Sequence, residues 1–173
     1  MKRIMDVDIV ICLGLALAAG LPKSALAGDT VVNIQLQDST TSSGIQNMQM
    51  LLDHAVVPAG RVTLRAKNES KQLIHEVLVF RDSGKPLPYN ESSGRIVEKQ
   101  AHSLGEVSDL KPGKSGQKTF SLSPGTYYLI CNQPMHLKGG MYARLKVVAG
   151  NAPIGGADGN AVSTAPPETK SVK

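Results

Sequence analysis

Several residues of types that can bind a metal ion lie close together near the end of the chain. Cys131, His136 and Met141 lie within eleven residues, directly after the apolar run 126–130. A further candidate, His75, lies on a second apolar run upstream. One thiolate, two imidazoles and a thioether are a mixture of soft and borderline ligands that suits copper in both of its oxidation states. The spacing therefore predicts a mononuclear copper site, whose chemistry is the transfer of single electrons.

Zinc binding and multi-copper catalysis suit these residues less well. A zinc site is disfavoured because a single Cys with a thioether suits copper better. A copper oxidase or reductase would need a second metal centre, and the chain has 4 His with no His-x-His pair. An isolated thiol is most often a buried, inert cysteine, but such a cysteine would not account for His136 and Met141. We therefore expect a metal-binding protein that is not an enzyme.

The N-terminus has the three parts of an export signal. Residues 1–3 are basic, residues 9–21 are apolar, and residues 25–27 have the small-x-small form of a cleavage site. An apolar run of thirteen residues is shorter than the ~20 needed to cross a bilayer. Residues 1–27 are therefore predicted to be a signal peptide that exports the chain to the periplasm and leaves no membrane span. Two acidic residues in this segment leave a retained anchor as the alternative.

Export also bears on the cysteine. Cys12 would leave with the signal, so Cys131 would be the one cysteine of the mature chain. A lone thiol cannot form an internal disulfide in an oxidising compartment. Coordination to a metal both uses and protects such a sulfur, which favours the metal-site interpretation.

Composition sets the domain organisation. The formal net charge is +5, and the charges are scattered rather than gathered into a basic stripe, so nucleic acid is not an expected partner. Residues 151–173 are rich in Gly, Pro, Ala and Ser and have too few large apolar groups to form a core, which predicts a flexible, disordered tail. Residues 28–150 then form one domain.

The pattern within this domain is that of β-strands. Residues 31–36 and 61–67 alternate apolar with polar side chains, as half-buried strands do. Turn signals separate such runs at residues 58–60, 112–113 and 124–125. No amphipathic helix pattern of about twelve residues is present. The predicted fold class is all-β, a Greek-key β-sandwich.

Strand alternation indicates where the ligands point. Cys131 shares a strand face with Tyr127 and Leu129, and Met141 shares one with the alternate apolar residues that follow it. Both sulfur ligands are therefore predicted to face the core. The direction of His75 stays open, because both faces of its run are apolar.

The chain resembles the cupredoxins, the blue-copper proteins that include plastocyanins, azurins, rusticyanins and sulfocyanins. The resemblance covers residues 31–149, is specific mainly in the loop 131–141, and is strongest toward exported bacterial sulfocyanin-like proteins. The shared stretches are His75-Glu76, Leu87-Pro-Tyr89, Leu104-Gly-Glu-Val107 and Cys131-Asn-Gln-Pro-Met-His136. The resemblance implies one type 1 copper ion cycling between Cu(I) and Cu(II), with ligands His75, Cys131 and His136 and with Met141 axial.

One departure from the family pattern follows the first ligand. Plastocyanins and azurins usually have Asn after the first His, where it joins that strand to the cysteine loop, whereas this chain has Glu76. An ionised carboxylate accepts hydrogen bonds but cannot donate them. We therefore expect Glu76 to accept a hydrogen bond from the backbone near Asn132.

A second departure concerns the surface beside the site. Met135 stands where related loops often have Gly, directly before His136. Together with Pro134 and Leu137 it is predicted to form an apolar docking patch for redox proteins that bind transiently. The expected function is that of a monomeric periplasmic electron carrier. The alternative is a copper-handling protein that stores or delivers Cu(I).

Overall fold

In the computed structural model, most of the described chain is β-strand, as the alternating sequence pattern predicts. The structure describes residues 29–41, 44–150, 155–156 and 165–173. The predicted signal peptide, residues 1–27, lies outside this part of the chain. Among the residues described, none of the helical structure is long and apolar enough to cross a membrane.

The strands are numbered in chain order. Their bounds are β1 (Thr30–Thr41), β2 (Gly44–Leu52), β3 (His54–Pro58), β4 (Gly60–Asn68), β5 (His75–Arg81), β6 (Leu87–Asn90), β7 (Arg95–Ile96), β8 (Glu106–Leu110), β9 (Ser115–Leu122), β10 (Gly125–Ile130), β11 (Tyr142–Val148), β12 (Gly155–Gly156) and β13 (Thr169–Val172). A short helix, α1 (Glu98–Ala101), lies between β7 and β8.

Two of the sheets pack face to face. The smaller has the strand order β2-β1-β4-β9, and the larger has the order β12-β3-β11-β10-β5-β8. Alternate apolar residues of both sheets, such as Ile34 of β1 and Leu129 of β10, belong to one buried cluster between them. Burying one face of each sheet in this way is what the period-2 pattern requires. The predicted Greek-key β-sandwich is confirmed.

Proline and glycine lie between strands where the sequence predicts turns. Pro58 ends β3 and Gly60 begins β4, while Pro112 and Gly113 separate β8 from β9. Gly113 has a φ of 71°, a left-handed conformation that glycine adopts without a steric penalty. Each of these turns carries the chain from the larger sheet to the smaller one.

Strand β5 is buried on both of its faces, which accounts for its uninterrupted apolar sequence. Val77 and Val79 face the core between the two sheets. Leu78 and Phe80 face a second buried cluster on the other side of the larger sheet. That cluster also holds residues of β6 and β7, which form a three-stranded sheet with β13. The residues in phase with His75 are thus the ones that face the inter-sheet core.

The C-terminal part of the chain differs from the predicted tail. Within residues 151–173, Thr169–Val172 forms strand β13, which pairs in parallel with β6. Gly155–Gly156 forms β12, which pairs with β3. Backbone hydrogen bonding to an existing strand does not require the large apolar side chains that this segment lacks. The rest of the predicted tail lies outside the described residues.

A buried asparagine connects three parts of the chain next to His75. The side-chain amide of Asn68, at the end of β4, donates to the backbone carbonyls of Leu73 at 2.8 Å and Leu110 at 2.7 Å. Its side-chain oxygen accepts from the backbone N–H of Ser70 at 2.8 Å. Asn68 therefore holds the segment that leads into β5 against the end of β8.

We expect Asn68→Ala to lower the free energy of unfolding by about 2–3 kcal/mol, because it leaves buried backbone groups without partners. Chemical denaturation of the metal-free protein measures this. The matched control is Asn33→Ala, since Asn33 is exposed and its side chain bonds to the exposed Asp53 side chain. Equal losses in the two variants would contradict a structural role for Asn68.

Candidate metal centre

Three of the four predicted ligands converge. One ligand atom from each of His75, Cys131 and His136 lies within 4.8 Å of the other two. The Cys131 Sγ is 3.6 Å from the His75 Nδ1 and 3.3 Å from the His136 Nδ1. His75 and Cys131 are 0% exposed and His136 is 7% exposed. The structure thus brings His75, which is 56 positions before Cys131, against two residues of the cysteine loop.

These distances suit the coordination of one ion. Ligand atoms bound to a transition metal at ~2.0–2.3 Å stand roughly 3.5–3.8 Å apart in tetrahedral or trigonal geometry. The two sulfur–nitrogen separations, 3.6 and 3.3 Å, are close to that range. The centroids of the two imidazole rings are 4.9 Å apart, and the ring planes are tilted by 55°. The residues present therefore fit a metal ion.

Strand pairing is the reason that these residues meet. His75 begins β5, Cys131 directly follows β10, and Met141 directly precedes β11. Strand β10 pairs antiparallel with both β5 and β11. The C-terminal end of β10 therefore lies beside the start of each neighbouring strand. All of the predicted ligands are thus at one end of the larger sheet.

The connection between β10 and β11 is held by its own backbone. The N–H of Cys131 donates to the carbonyl of Met141 at 3.0 Å, and the N–H of Met141 donates to the carbonyl of His136 at 2.9 Å. Met141 is fully buried in the same cluster as Cys131, so both sulfur residues face the core as predicted. The backbone of Met141 therefore lies next to those of Cys131 and His136.

Comparison with known proteins identifies the fold. No protein-family model and no curated protein sequence matches the chain. Rusticyanin from Thiobacillus ferrooxidans superimposes with a TM-score of 0.52 at 18% identity, covering 70% of this chain and 79% of that chain. Reduced rusticyanin gives 0.50 at 19% identity, covering 70% of this chain and 81% of that chain. Auracyanin A, a "blue" copper protein from the green thermophilic photosynthetic bacterium Chloroflexus aurantiacus, gives a TM-score of 0.49 at 23% identity. The match covers 70% of this chain and 100% of that chain.

The rusticyanins are cupredoxins. The chain has the cupredoxin fold. At these levels of identity the likeness establishes the fold, and the site has to be judged from its own residues.

Burial in the cupredoxin core sets the protonation of the metal-free site. Burial raises the pKa of the Cys131 thiol to about 12, although backbone N–H groups of Gln133 and Glu76 that point at the sulfur act in the opposite direction. Burial also lowers the pKa of His136 to about 4, and the neighbouring His75 lowers it further. At neutral pH the metal-free site therefore holds a thiol and a neutral His136 imidazole.

The cysteine loop is joined to the rest of the cupredoxin domain differently from the prediction. Asn132 accepts from the backbone N–H of Ile96 at 2.6 Å, and its amide donates to the Ile96 carbonyl and the Glu98 carboxylate, each at 3.0 Å. In the described part of the chain, the Glu76 carboxylate makes no hydrogen bond to the backbone near Asn132. The contribution of Glu76 is its backbone N–H, which points at the Cys131 sulfur.

The predicted docking patch is only partly at the surface. Pro134 is exposed and Met135 is 54% exposed, but Leu137 is 4% exposed and belongs to the second buried cluster. Including Leu137 was wrong. The loop makes a helical turn, in which the N–H of Gly139 donates to the carbonyl of Met135, and this turn places Leu137 on the inner side. Met135 has a φ of 65°, a left-handed conformation that favours glycine.

Sequence reasoning missed one residue of the site. The Asp38 side chain is 2% exposed, and its Oδ1 lies 3.1 Å from the Nε2 of His75. A signal was present in the sequence: Val32, Ile34 and Leu36 of β1 face the core, and Asp38 is the next residue in phase with them. A carboxylate at a core position of a strand requires a partner.

The thiol proton gives a measurable pH dependence. A metal that binds thiolate must displace this proton, while the neutral His136 has none to release. We expect the logarithm of the Co²⁺ or Zn²⁺ association constant to rise by about one per pH unit between roughly pH 7 and 9. Calorimetric titration in buffers of different ionisation enthalpy measures the proton released. A pH-independent constant would argue against Cys131 as a ligand, and Cys131→Ser should abolish the dependence.

Glu76 gives a second test, on stability. Burial first, and then the neighbouring acidic groups Glu106, Asp109 and Glu98, raise its pKa from 4.5 to about 7. Because the folded state disfavours the ionised form, the contribution of Glu76 to stability is greatest below about pH 4.5 and falls as the pH rises through 7.

We therefore expect the difference in free energy of unfolding between Glu76→Gln and the wild type, both metal-free, to change in favour of the variant by roughly 2–3 kcal/mol from about pH 5 to pH 8. Urea unfolding at the two pH values measures this gain. Glu69→Gln, at an exposed position of the same chain, is the control and should show no such difference. A Glu76→Gln profile parallel to that of the wild type would refute the buried-carboxyl account.

Proposed function

We propose that the protein binds one copper ion through His75, Cys131 and His136, with Met141 as the axial ligand, and that it carries single electrons between redox partners. The observation that carries the proposal is the convergence of one thiol and two imidazole nitrogens in a buried site. A site of this composition suits type 1 copper because its ligands accommodate both oxidation states. Rusticyanin, whose fold the chain shares, is described as a copper protein.

Copper, when bound, would supply a reversible one-electron change. The contribution of the chain is to keep the ligands in place during that change. His75 and Cys131 are at strand ends in a core packed on both sides, and the loop that holds His136 is closed by backbone hydrogen bonds to Cys131 and Met141. Ligands held in this way move little when the charge changes, which favours fast transfer.

Electrons would enter and leave at His136. Of the three converging residues it is the one with exposed surface, at 7%. Pro134 and Met135 are exposed beside it and are the docking patch of this proposal. A small apolar patch suits brief contacts, because transient redox complexes bury little surface.

The proposed place of action is the periplasm. The signal-like sequence of residues 1–27 supports export, and an exported chain with one remaining cysteine needs no disulfide partner for it if a metal occupies the sulfur.

Addition of Cu²⁺ to the metal-free protein tests the proposal. We expect one ion to bind per chain, with intense visible absorption from the thiolate–copper bond and a paramagnetic-resonance signal. Reduction should abolish the absorption and the signal, oxidation should restore them, and the ion should stay bound throughout. Cys131→Ser should remain without that colour, whereas Met135→Ala should keep it because Met135 is not a ligand. A colourless wild-type protein would overturn the type 1 assignment. A protein that binds Cu⁺ tightly but is colourless with Cu²⁺ would instead be a copper-handling protein.

A further inference from the structure

A buried carboxylate lies behind the first imidazole of the site. Asp38 is on β1, in the sheet opposite His75, and its Oδ1 is 3.1 Å from the His75 Nε2. The two side chains are 2% and 0% exposed, so water does not compete for the contact. Asp38 comes from the facing sheet and is not one of the residues assigned as ligands.

The alternation of β1 is unbroken up to this contact. The pairing of β1 with β2 shifts register between Gln37 and Ser39, but the extra residue is on β2, so Asp38 faces the irregularity and is not itself the bulged residue. Asp38 also continues the inward phase of Ile34 and Leu36, which takes its carboxylate into the space between the sheets.

The contact selects one form of the His75 ring. A carboxylate oxygen accepts hydrogen bonds and cannot donate, so the Nε2 of His75 must carry the proton. The neutral ring then has its lone pair on Nδ1, the atom that lies 3.6 Å from the Cys131 sulfur. Hydrogen bonds from metal-binding histidines to carboxylates fix both the tautomer and the ring orientation in this way.

The charge of Asp38 also acts at the site. The carboxylate is 3.1 Å from the His75 ring, whose centroid is 4.9 Å from that of His136. A fixed negative charge in a buried environment stabilises the more positive of two states of a neighbouring ion and is screened little by salt. The oxidised form of a metal centre is the more positive one.

We propose that Asp38 is a positioning residue, which fixes the His75 tautomer for metal binding and shifts the one-electron equilibrium of the site toward its oxidised form. This inference rests on the proposed copper function for its second part only. The hydrogen-bond part concerns the metal-free protein and stands independently.

The test uses three variants. Asp38→Asn keeps the shape and an acceptor oxygen but removes the charge, and Asp38→Ala removes both. Asp53→Asn is the matched control, because it also removes one carboxylate charge. Asp53 is exposed and bonds to Asn33, which lies nearer the start of β1 than Asp38 does.

The first measurement is the ¹⁵N NMR spectrum of His75 in the metal-free protein. We expect a single tautomer protonated at Nε2 in the wild type, in Asp38→Asn and in Asp53→Asn, and a mixture of tautomers in Asp38→Ala. An unchanged tautomer in Asp38→Ala would overturn the positioning role. If Asp38→Ala does not fold, an Nδ1-protonated ring in the wild type would overturn it equally.

The second measurement is the equilibrium of the copper-loaded protein with a one-electron reference couple, ferricyanide and ferrocyanide. We expect Asp38→Asn to favour the reduced protein by on the order of tenfold or more relative to the wild type, and Asp53→Asn to change the equilibrium far less. Equal values for the two Asn variants would overturn the charge role. A wild-type protein that takes up no copper would instead refute the proposed function, and the tautomer result would still decide the positioning role.

Discussion

The pairing of β10 with both β5 and β11 is the constraint on which the site depends. It places Cys131, at the end of the central strand of the three, beside His75 on one side and the loop to Met141 on the other. The same arrangement removes these side chains from water. Burial makes a charged Cys131 thiolate or His136 imidazolium unfavourable, so these two side chains are neutral in the metal-free protein.

The second buried cluster gives the larger sheet a cover on its outer face. Strands β6 and β7, with Ala101 of helix α1, pack against the cluster that holds Leu78, Phe80 and Ile130, and Asn132 hydrogen-bonds this cover to the cysteine loop. The loop is therefore held from the outside by Asn132 and from the inside by the packing of Cys131 and Met141. Support from both faces would keep the proposed ligands in place if a bound ion changed its charge.

Local sequence was sufficient for several features. The alternation of apolar and polar residues predicted β1, β4 and the inward direction of Cys131 and Met141, because side-chain direction in a strand depends only on position along that strand. Local sequence was insufficient for Leu137, which is buried under a neighbouring layer, and for Glu76, whose backbone rather than its carboxylate faces the loop. Both depend on what packs against the residue, and the sequence pattern does not contain that information.

The sequence by itself determined the residue types of the proposed ligands, the spacing of the loop that holds three of them and the β-sandwich class. Only the tertiary structure decided which face of β5 holds His75, since both faces are apolar and both are buried. It alone showed that Asp38, 37 positions earlier, lies against the His75 ring. Contacts between strands distant in the chain depend on sheet order and register. Those follow from the packing of the whole domain, whereas periodicity is a property of each strand alone.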